Sequence, residues 1–423
     1  MRFSTSIALG LLVGLSDALA ARQDNDAPTT LPNGSATSLS TIPSRNTAVA
    51  IEQLEQLADF AYAEAIKLLE EGTNRKRRPH RPGTCSRRNL AIRREWGALS
   101  NPERKAYTDA VLCLQEKQAR TPSYLIPGAR SRFDDWIGTH INQTATIHYT
   151  GTFLAWHRYF TWQYEQALRN ECGYKGYQPY WDWAKTAITG LEKSVMLDGS
   201  AYSMSGNGKF IPGKGNITIS GNGLPDVTIP SGTGGGCVNS GPFKDMKVNL
   251  GPVALGLSNG STISNGDGLS YNPRCLKRDL TDYANKRFAN ASSFIDLLKT
   301  RDIMDFQMTM QGYPGSGDIG VHGGGHYSMG GDPGRDLFTS PGDPLFYLHH
   351  GGIDRAWWIW QSRNKRTSYG AKGIAGTGTF LNQMPSPNTT LDTMIDFGYA
   401  AGPPRKMREL MSTTGGPFCY IYK

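Results

Sequence analysis

The sequence of 423 residues has no long hydrophobic run beyond its first 20 residues, and no internal repeat is evident. No later stretch approaches the roughly 20 consecutive apolar residues that a transmembrane helix needs, which excludes a membrane-spanning protein. Apolar residues make up 38% of the chain, and the 50 glycines and 24 prolines favour a globular protein with much loop. The length is enough for one large domain or two ordinary ones.

Acidic residues are missing from the interval between Arg75 and Arg94, which contains nine Lys or Arg residues. That number equals the formal net charge of +9, so the rest of the chain is balanced. The interval also lacks aromatic residues, which argues against a nucleic-acid partner. Two interpretations remain for the run that begins Arg75-Lys76-Arg77-Arg78: a solvated basic loop and a dibasic processing site.

Residues 1–20 are typical of a secretory signal peptide. They combine basic Arg2, an apolar run from Ile7 to Leu15, and an Ala-x-Ala cleavage pattern that ends at Ala20. We therefore expect cleavage after Ala20 and a secreted, extracellular protein with no membrane partner. N-glycans are expected at some of six sequons. Their asparagines are Asn33, Asn142, Asn216, Asn259, Asn290 and Asn388.

The six cysteines allow up to three disulfides in an oxidising compartment, and the sequence alone leaves most pairings open. Cys237 and Cys275 lie in or beside one Gly-rich insert, where a short closed loop is easily made. We expect these two cysteines to pair with each other. The other four cysteines are left unassigned.

Helical periodicity in several segments predicts a mainly α protein. Ser100 and Glu103 form a capping-box pattern around Pro102, so a helix should run from there to about Glu116. Further helices are expected at about 51–69, 153–170, 294–311 and 345–364. Between about 199 and 273 the composition changes to Gly, Ser, Asn and Thr, which indicates an insert of loops and a few short β-strands.

Histidine is scarce in this chain, yet seven of its eight histidines fall in two windows about 160 residues apart. The first window holds His140, His148 and His157, and the second holds His322, His326, His349 and His350. Neutral imidazole binds Cu, Zn, Fe and Ni, and an all-imidazole set without a carboxylate or thiolate at ligand spacing favours copper or zinc. One histidine beside aromatic residues is more often a buried core residue than a ligand. The clustering outweighs that interpretation and predicts a binuclear metal site.

Two further features surround the second window. Three glycines separate His322 from His326, although glycine costs roughly 1 kcal/mol relative to alanine inside a helix. Either a metal holds that turn, or the site needs room above it. Asp354 is placed to accept the second ring N–H of a ligating histidine, or to pair with Arg355 or another arginine.

At these residues the sequence resembles the tyrosinase, catechol oxidase and hemocyanin family of type 3 copper proteins, especially its short secreted fungal members. The stretch from His140 through Phe153 to Phe160 is similar to the first copper motif of the family. The run from His322 to His326, together with the stretch from Asp343 to Arg355, is similar to the second. The resemblance implies a four-helix bundle core that holds two copper ions, with O2 as co-substrate and small phenols as substrates.

The resemblance covers roughly 85–423, including Tyr420-Ile421-Tyr422, which is similar to the tyrosine motif that closes the catalytic core of the family. Composition and apolar spacing predict a leader and an N-terminal helix at 21–84, processed or not near the basic run. The resemblance implies no C-terminal shielding domain. It also implies two ligand sets, His140, His148 and His157 for one copper and His322, His326 and His350 for the other. His349 then lies beside the ligands and tunes activity.

Three departures from the family pattern bear on activity. Thr146 stands where many fungal relatives have a cysteine that forms a thioether to the second ligand. Gln311 stands where hydroxylating relatives often have a glutamate that orders a water, and Gly323 stands where efficient tyrosinases often have asparagine. An amide is a poorer proton acceptor than a carboxylate, so oxidation of o-diphenols is expected rather than efficient hydroxylation of monophenols.

Leu337 and Phe338 precede the second motif and are expected either at the substrate entrance or in ordinary core packing. Two other functions use the same histidines. A reversible oxygen carrier would usually add a shielding domain or repeat the site, and neither is seen in the sequence. A dizinc hydrolase would need a bridging carboxylate, which neither window supplies at ligand spacing.

Overall fold

The computed structural model describes residues 44–74, 85–221, 224–363 and 368–423. The signal peptide, most of the leader, the basic run, Asn33 and His80 lie outside these residues. The described helices are α1 Ser44–Asn74, α2 Asn101–Glu116, α3 Arg132–Ile147, α4 Phe153–Glu171, α5 Trp183–Thr189, α6 Asp282–Phe288, α7 Ala291–Lys299, α8 Ile303–Gln311, α9 Gly320–Met329, α10 Leu345–Arg363 and α11 Met407–Leu410.

The strands are short and pair only two at a time. They are β1 Ala91–Arg93, β2 Gly208–Phe210, β3 Ile217–Gly221, β4 Leu224–Ile229, β5 Gly235–Val238, β6 Lys247–Val248, β7 Leu255–Gly256, β8 Thr262–Ile263, β9 Arg274–Cys275, β10 Met394–Ile395, β11 Arg405–Lys406 and β12 Tyr420–Tyr422. Seven of them, β2 to β8, lie in the predicted Gly-rich insert. The fold is mainly α with a few short strands, as predicted.

Serine residues begin the capping boxes of two described helices. The Ser100 backbone N–H donates to Glu103 Oε2 (2.7 Å) at the start of α2, which ends at Glu116 as predicted. A second box begins α3, where the Ser131 backbone N–H donates to Asp134 Oδ2 (2.8 Å). Helix α3 was not predicted from the sequence, although Phe133, Trp136, Ile137 and Ile141 recur at helical spacing.

The helix predicted over 294–311 is two helices, α7 and α8. The first ends at Lys299, and Asp302 caps the second by accepting the Asp305 backbone N–H (2.9 Å). Apolar residues continue on both sides of this break, so periodicity alone missed it. The N-cap residue Asp302 is the local feature that marks the new start.

The core lies where α4 packs against α10, with α3 packed against α4 and α9 packed against α10. Large aromatic side chains fill it. The Tyr164 and Tyr347 rings stack with centroids 3.5 Å apart, and Trp156 stacks on Phe160 at 4.5 Å. The four helices that form this core are those that carry the two histidine windows.

All six cysteines are paired. Cys237 bonds to Cys275 as predicted, and the other disulfides are Cys85–Cys419 and Cys113–Cys172. The Cys85–Cys419 disulfide lies beside the parallel pairing of β1 with β12, so the beginning and end of the described core are held together. Among the described helices, none is both long enough and apolar enough to cross a membrane.

Candidate metal centre

The seven clustered histidines form two groups of buried side chains. Within each group the candidate ligand atoms all lie within 4.8 Å of one another. The members are His140, His148 and His157 in the first group, and His322, His326, His349 and His350 in the second. His140 lies on α3, His148 caps its C-terminus and His157 lies in the first turns of α4. Helix α9 supplies the first pair of the second group, and α10 supplies the adjacent pair.

The two groups face each other across a short gap. The His157 and His350 rings stack with centroids 4.5 Å apart, and the His148 and His322 rings lie 5.7 Å apart. Phe346 lies between the groups, with its ring centroid 4.0 Å from that of His350 and 5.5 Å from that of His140. The geometry is therefore that of one centre with two halves, rather than two separate sites.

Burial keeps these imidazoles neutral. It lowers the pKa of His148 to about 3 and that of His326 to about 4, because the charged form loses its hydration. The pKa values of the other five clustered histidines lie well below the usual value, chiefly through burial and then through neighbouring histidines. Neutral imidazole is the form that binds a metal ion.

The ring orientations of four histidines are set by main-chain carbonyls. The acceptors are Phe338 O for His140 Nδ1 (2.8 Å), Thr144 O for His148 Nδ1 (3.0 Å), Phe153 O for His157 Nδ1 (2.8 Å) and Gly334 O for His326 Nδ1 (2.9 Å). A carbonyl only accepts, so each Nδ1 carries the proton and each Nε2 is left with a free lone pair.

Several of the remaining ring nitrogens are buried without a partner among the described residues. They are Nε2 of His140, His157 and His322, and both ring nitrogens of His350. Such orphaned acceptors are costly in a packed interior, and a metal ion satisfies them. The donor set therefore fits two metal ions held by imidazole alone.

His349 differs from its neighbour His350. The Trp183 indole N–H donates to His349 Nδ1 (3.0 Å), and His349 Nε2 donates to the main-chain oxygen of His322 (2.9 Å). Both ring nitrogens are thus engaged within the protein. His349 also explains one of the three glycines in α9, because a Cβ on Gly325 would lie 2.1 Å from its Cε1.

The other two glycines also make room for neighbours. A Cβ on Gly324 would lie 2.7 Å from Phe288 Cβ on α6, and a Cβ on Gly323 would lie 2.9 Å from Ile319 Cβ. The sequence suggested either a metal that holds the turn or room above the site, whereas these contacts show close packing around α9. The space is taken by packed protein, including His349.

One loop, residues 330–344, orients a histidine in each group, because it contains both Gly334 and Phe338. Asp336 holds this loop: its Oδ1 accepts the Phe338 backbone N–H (2.9 Å) and its Oδ2 accepts that of Val253 (2.7 Å). Leu337 and Phe338 are half-buried, and the carbonyl of Phe338 contacts His140. The main chain at Phe338 therefore contacts the first group, while the Phe338 side chain packs against the hydrophobic core.

Asp354 pairs with arginines rather than with a histidine. Arg158 Nε donates to its Oδ1 (2.5 Å), and the Tyr420 and Tyr422 hydroxyls donate to its Oδ2 (2.6 and 2.5 Å). Burial alone would raise the pKa of Asp354, but Arg158, Arg93 and the two hydroxyls outweigh it and hold the pKa below its usual value. Of the alternatives open from the sequence, pairing with another arginine is the one observed.

The side chain of Gln311 is buried and fully engaged. Its Oε1 accepts the Tyr149 backbone N–H (2.7 Å) and its Nε2 donates to Gln307 O (3.2 Å). Near His148, the main-chain oxygen of Thr146 accepts the hydroxyls of Thr150 (3.1 Å) and Thr152 (2.8 Å). Hydrogen bonds, with no covalent crosslink, hold the chain around this histidine.

Sequence reasoning missed several residues that contact the histidines. Phe346 lies between the two groups, Trp183 donates to His349, and Thr144 supplies the carbonyl acceptor of His148. Phe346 was part of a recognised motif, but nothing in its spacing pointed to the centre. Trp183 lies in a separate aromatic stretch of the sequence. Every residue has a main-chain carbonyl, so the sequence cannot indicate which one accepts a hydrogen bond from a histidine.

Comparisons with known proteins agree with this centre. The family model described as the common central domain of tyrosinase matches residues 130–363. The chain is 41% identical to tyrosinase P of Aspergillus terreus over 332 residues, covering 78% of this chain and 91% of that protein. It is 38% identical to an N-acetyl-6-hydroxytryptophan oxidase of Emericella nidulans over 349 residues, covering 80% and 94%. A polyphenol oxidase variant from Thermothelomyces thermophila superimposes with a TM-score of 0.81 at 45% identity, over 88% and 98% of the two chains.

Proposed function

The chain belongs to the tyrosinase family of type 3 copper proteins, and on that basis we propose that it is a secreted oxidase of o-diphenols. The products are the o-quinone and water, with O2 as the oxidant. The observation that carries this proposal is the pair of facing histidine groups with buried, neutral and unpartnered ring nitrogens. Tyrosinase-like oxidoreductase chemistry follows from membership of the family. Our proposal is that the preferred substrates are o-diphenols.

The proposed ligands of the first copper are His140, His148 and His157, and those of the second are His322, His326 and His350. When bound, the copper pair supplies the two-electron chemistry between O2 and the phenol. The protein contributes neutral imidazoles. In four of them, His140, His148, His157 and His326, a carbonyl holds the Nδ1 proton, which leaves Nε2 as the donor atom. His349 is excluded from this ligand set because both of its nitrogens have protein partners.

The preference for diphenols rests on the residues around the histidines. A monophenol must lose its proton before it can be hydroxylated, and no carboxylate belongs to either histidine group in the described part of the chain. Gln311 offers an amide whose oxygen is already taken by Tyr149. Gly323 offers no side chain. Activity on monophenols or o-aminophenols is therefore proposed to be weaker than activity on catechols.

Two relatives set the range of substrates to test. One is named a tyrosinase and another an N-acetyl-6-hydroxytryptophan oxidase, so related chains act on more than one hydroxylated ring. Leu337 and Phe338 are half-buried, and the Phe338 carbonyl contacts His140. We propose that these two residues line the substrate entrance. No contact among the described residues specifically favours a reversible oxygen carrier. The experiment below distinguishes a carrier from an oxidase.

The test is copper content and O2 uptake by the purified protein with catechol, o-aminophenol and tyrosine. We expect two copper ions per chain and uptake that is faster with catechol than with tyrosine. His350→Ala should abolish uptake, whereas His349→Ala should only reduce it. Zinc or a single copper would refute the proposal, and reversible O2 binding without catechol oxidation would favour the carrier. Equal rates with tyrosine and catechol would refute the diphenol preference.

Secretion and glycosylation are proposed from the sequence pattern at the N-terminus and at the sequons. Asn142, Asn216, Asn259 and Asn388 have exposed side chains, which suits a glycan. Asn290 is half-buried and caps α7, because its Oδ1 accepts the Ser293 backbone N–H (3.0 Å). N-terminal sequencing and glycopeptide mapping of secreted protein test both points. A start before residue 21 would refute signal cleavage, and a start beyond Arg78 would show processing at the basic run.

A further inference from the structure

Tyr149 has an unusual backbone conformation directly after a proposed copper ligand. Its φ is 52°, in the left-handed region that residues with a Cβ rarely adopt. Such a residue persists only where its surroundings fix it, and these positions often occur at functional sites. His148, the preceding residue, belongs to the first histidine group. The contacts that hold Tyr149 therefore bear directly on the position of this histidine.

Gln311 holds Tyr149 at two points. The Tyr149 backbone N–H donates to Gln311 Oε1 (2.7 Å), and the Tyr149 hydroxyl donates to the main-chain oxygen of Gln311 (2.6 Å). The orientation of the amide is fixed as well, because its Nε2 donates to Gln307 O (3.2 Å) one turn earlier in α8. The ring of Tyr149 also packs edge-on against Phe380, with centroids 5.5 Å apart.

His148 needs such support more than the other two histidines of its group. His140 and His157 lie inside α3 and α4, whose main-chain hydrogen bonds fix their backbones. His148 is the C-cap of α3, where the helix ends and the chain turns. Its ring donates to Thr144 O (3.0 Å). The chain after it is held by the Thr150 and Thr152 hydroxyls, which donate to Thr146 O, and by contacts outside the helix.

We propose that Gln311 is a positioning residue that, with Tyr149, clamps the chain after His148 and so preorganises this histidine to bind the first copper. The inference rests on the proposed dicopper function and gives a specific role to two residues outside the ligand set. Its consequence is selective. Loss of the clamp should weaken metal binding at His140, His148 and His157, while the second group keeps its affinity.

Three variants separate the parts of the clamp. Gln311→Leu removes the acceptor at similar volume, and Gln311→Glu keeps an oxygen that can accept the Tyr149 N–H. Tyr149→Phe removes only the hydroxyl. Two controls remove matched groups elsewhere: Gln307→Leu deletes a buried amide that donates to Ala375 O (2.6 Å), and Tyr313→Phe deletes a tyrosine hydroxyl that donates to Asp305.

The measurement is metal affinity, made on the metal-free full-length protein by Co(II) titration and by Cu(I) competition with a chromophoric chelator. Gln311→Leu should raise one of the two dissociation constants by about tenfold, the size typical when a group that orients a ligand is removed. The other constant should stay within about twofold of wild type. Tyr149→Phe should show a smaller rise at the same site. Gln311→Glu keeps the acceptor for the Tyr149 N–H but loses the donor to Gln307 O, so its rise should be smaller than that of Gln311→Leu.

Two further measurements identify the site and exclude a merely structural role. In a His148→Ala background, adding Gln311→Leu should change the remaining dissociation constant no further, because the affected site is already lost. Guanidinium unfolding of the metal-free variants reports stability separately. Gln307→Leu should lower the unfolding midpoint while leaving both dissociation constants unchanged, which is the pattern of a structural residue.

The outcomes are distinguishable. If both dissociation constants stay unchanged in Gln311→Leu, or if both rise equally, the clamp is refuted while the proposed function stands. A rise in Gln311→Glu as large as that in Gln311→Leu would also refute it, because the accepted hydrogen bond would then not be the cause. If wild-type protein binds fewer than two metal ions, the proposed function fails and the clamp falls with it.

Discussion

Replacing Asp354 with asparagine removes the carboxylate at the centre of a buried charge cluster. Arg158 Nε lies 2.5 Å from Asp354 Oδ1, and Arg93 lies 3.5 Å from its Oδ2. Both tyrosine hydroxyls of Tyr420 and Tyr422 donate to the same carboxylate. The side chains of both arginines are fully buried, so water cannot replace the lost charge.

The expected cost follows from the charge count in this cluster. Arg93 and Arg158 are balanced by Asp354 and Glu165, whose Oε2 lies 3.0 Å from Arg93. Asparagine leaves one positive charge uncompensated in the interior. Breaking a buried pair by removing one partner costs about 3–5 kcal/mol. With an unfolding entropy of about 2.1 cal/mol/K per residue, the unfolding temperature should fall by about 4–6 °C.

The pH dependence of this loss has a definite sign. The pKa of Asp354 is lower in the folded protein than in the unfolded chain, so its contribution is fully present above the unfolded pKa of about 3.9. That contribution is lost as the pH falls through the folded pKa. The difference between wild type and Asp354→Asn should therefore be constant from about pH 8 to pH 5 and should shrink in stronger acid.

The assay is guanidinium unfolding of metal-free protein at several pH values, with Asp109→Asn as the matched control. Asp109 pairs with Lys105 at 2.7 Å on the surface, so its loss should change stability by less than about 1 kcal/mol. A cost for Asp354→Asn as small as that of the control would refute the reasoning. The reasoning would also be refuted if the stability difference between wild type and Asp354→Asn grew below pH 4.

Two further substitutions test the packing around the histidines. Gly325→Ala places a methyl group 2.1 Å from His349 Cε1, so it should lower the free energy of unfolding by about 1–3 kcal/mol, measured by denaturant titration. Arg274→Met removes two charged hydrogen bonds to Asp332 (2.6 and 2.7 Å) at the start of the loop that orients His140 and His326. It should lower the free energy of unfolding by about 1.5–3 kcal/mol and lower the catechol oxidation rate. An unchanged oxidation rate would show that this end of the loop does not affect activity.

The sequence carried strong signals for helices with a cap or a clear apolar stripe. The capping box of Ser100 and Glu103 marked α2, and aromatic-rich periodicity marked α4 and α10 within one or two residues. Spacing also located the seven clustered histidines. These features are local, so they can be recognised without knowing what packs against them.

Helix α3 was missed although its sequence carries a readable signal, because Phe133, Trp136, Ile137 and Ile141 recur at helical spacing. Helix α9 was harder to predict because tertiary contacts decide it. Helix α9 contains three consecutive glycines that disfavour a helix by themselves. Contacts with α6 and with His349, which come from distant parts of the chain, explain those glycines.

The orientation of the histidine rings was also beyond sequence reasoning. Main-chain carbonyls of Gly334 and Phe338 fix His326 and His140, and any residue type offers the same carbonyl. The decisive information is the path of the loop. That path depends on contacts such as the one between Asp336 and the Val253 backbone N–H, which joins the loop to the Gly-rich insert.

The contacts between α4 and α10 explain why two distant histidine windows form one centre. Arg158 directly follows His157, and Asp354 lies four residues, about one helical turn, beyond His350. Consecutive helix residues point about 100° apart, so His157 can face the opposite histidine group while Arg158 reaches Asp354. The same two helices thus carry the His157–His350 stacking contact and, beside it, a buried ion pair. Because interiors are close-packed, a shift of one helix along the other would disturb both contacts together, which fixes the separation of the two halves of the centre.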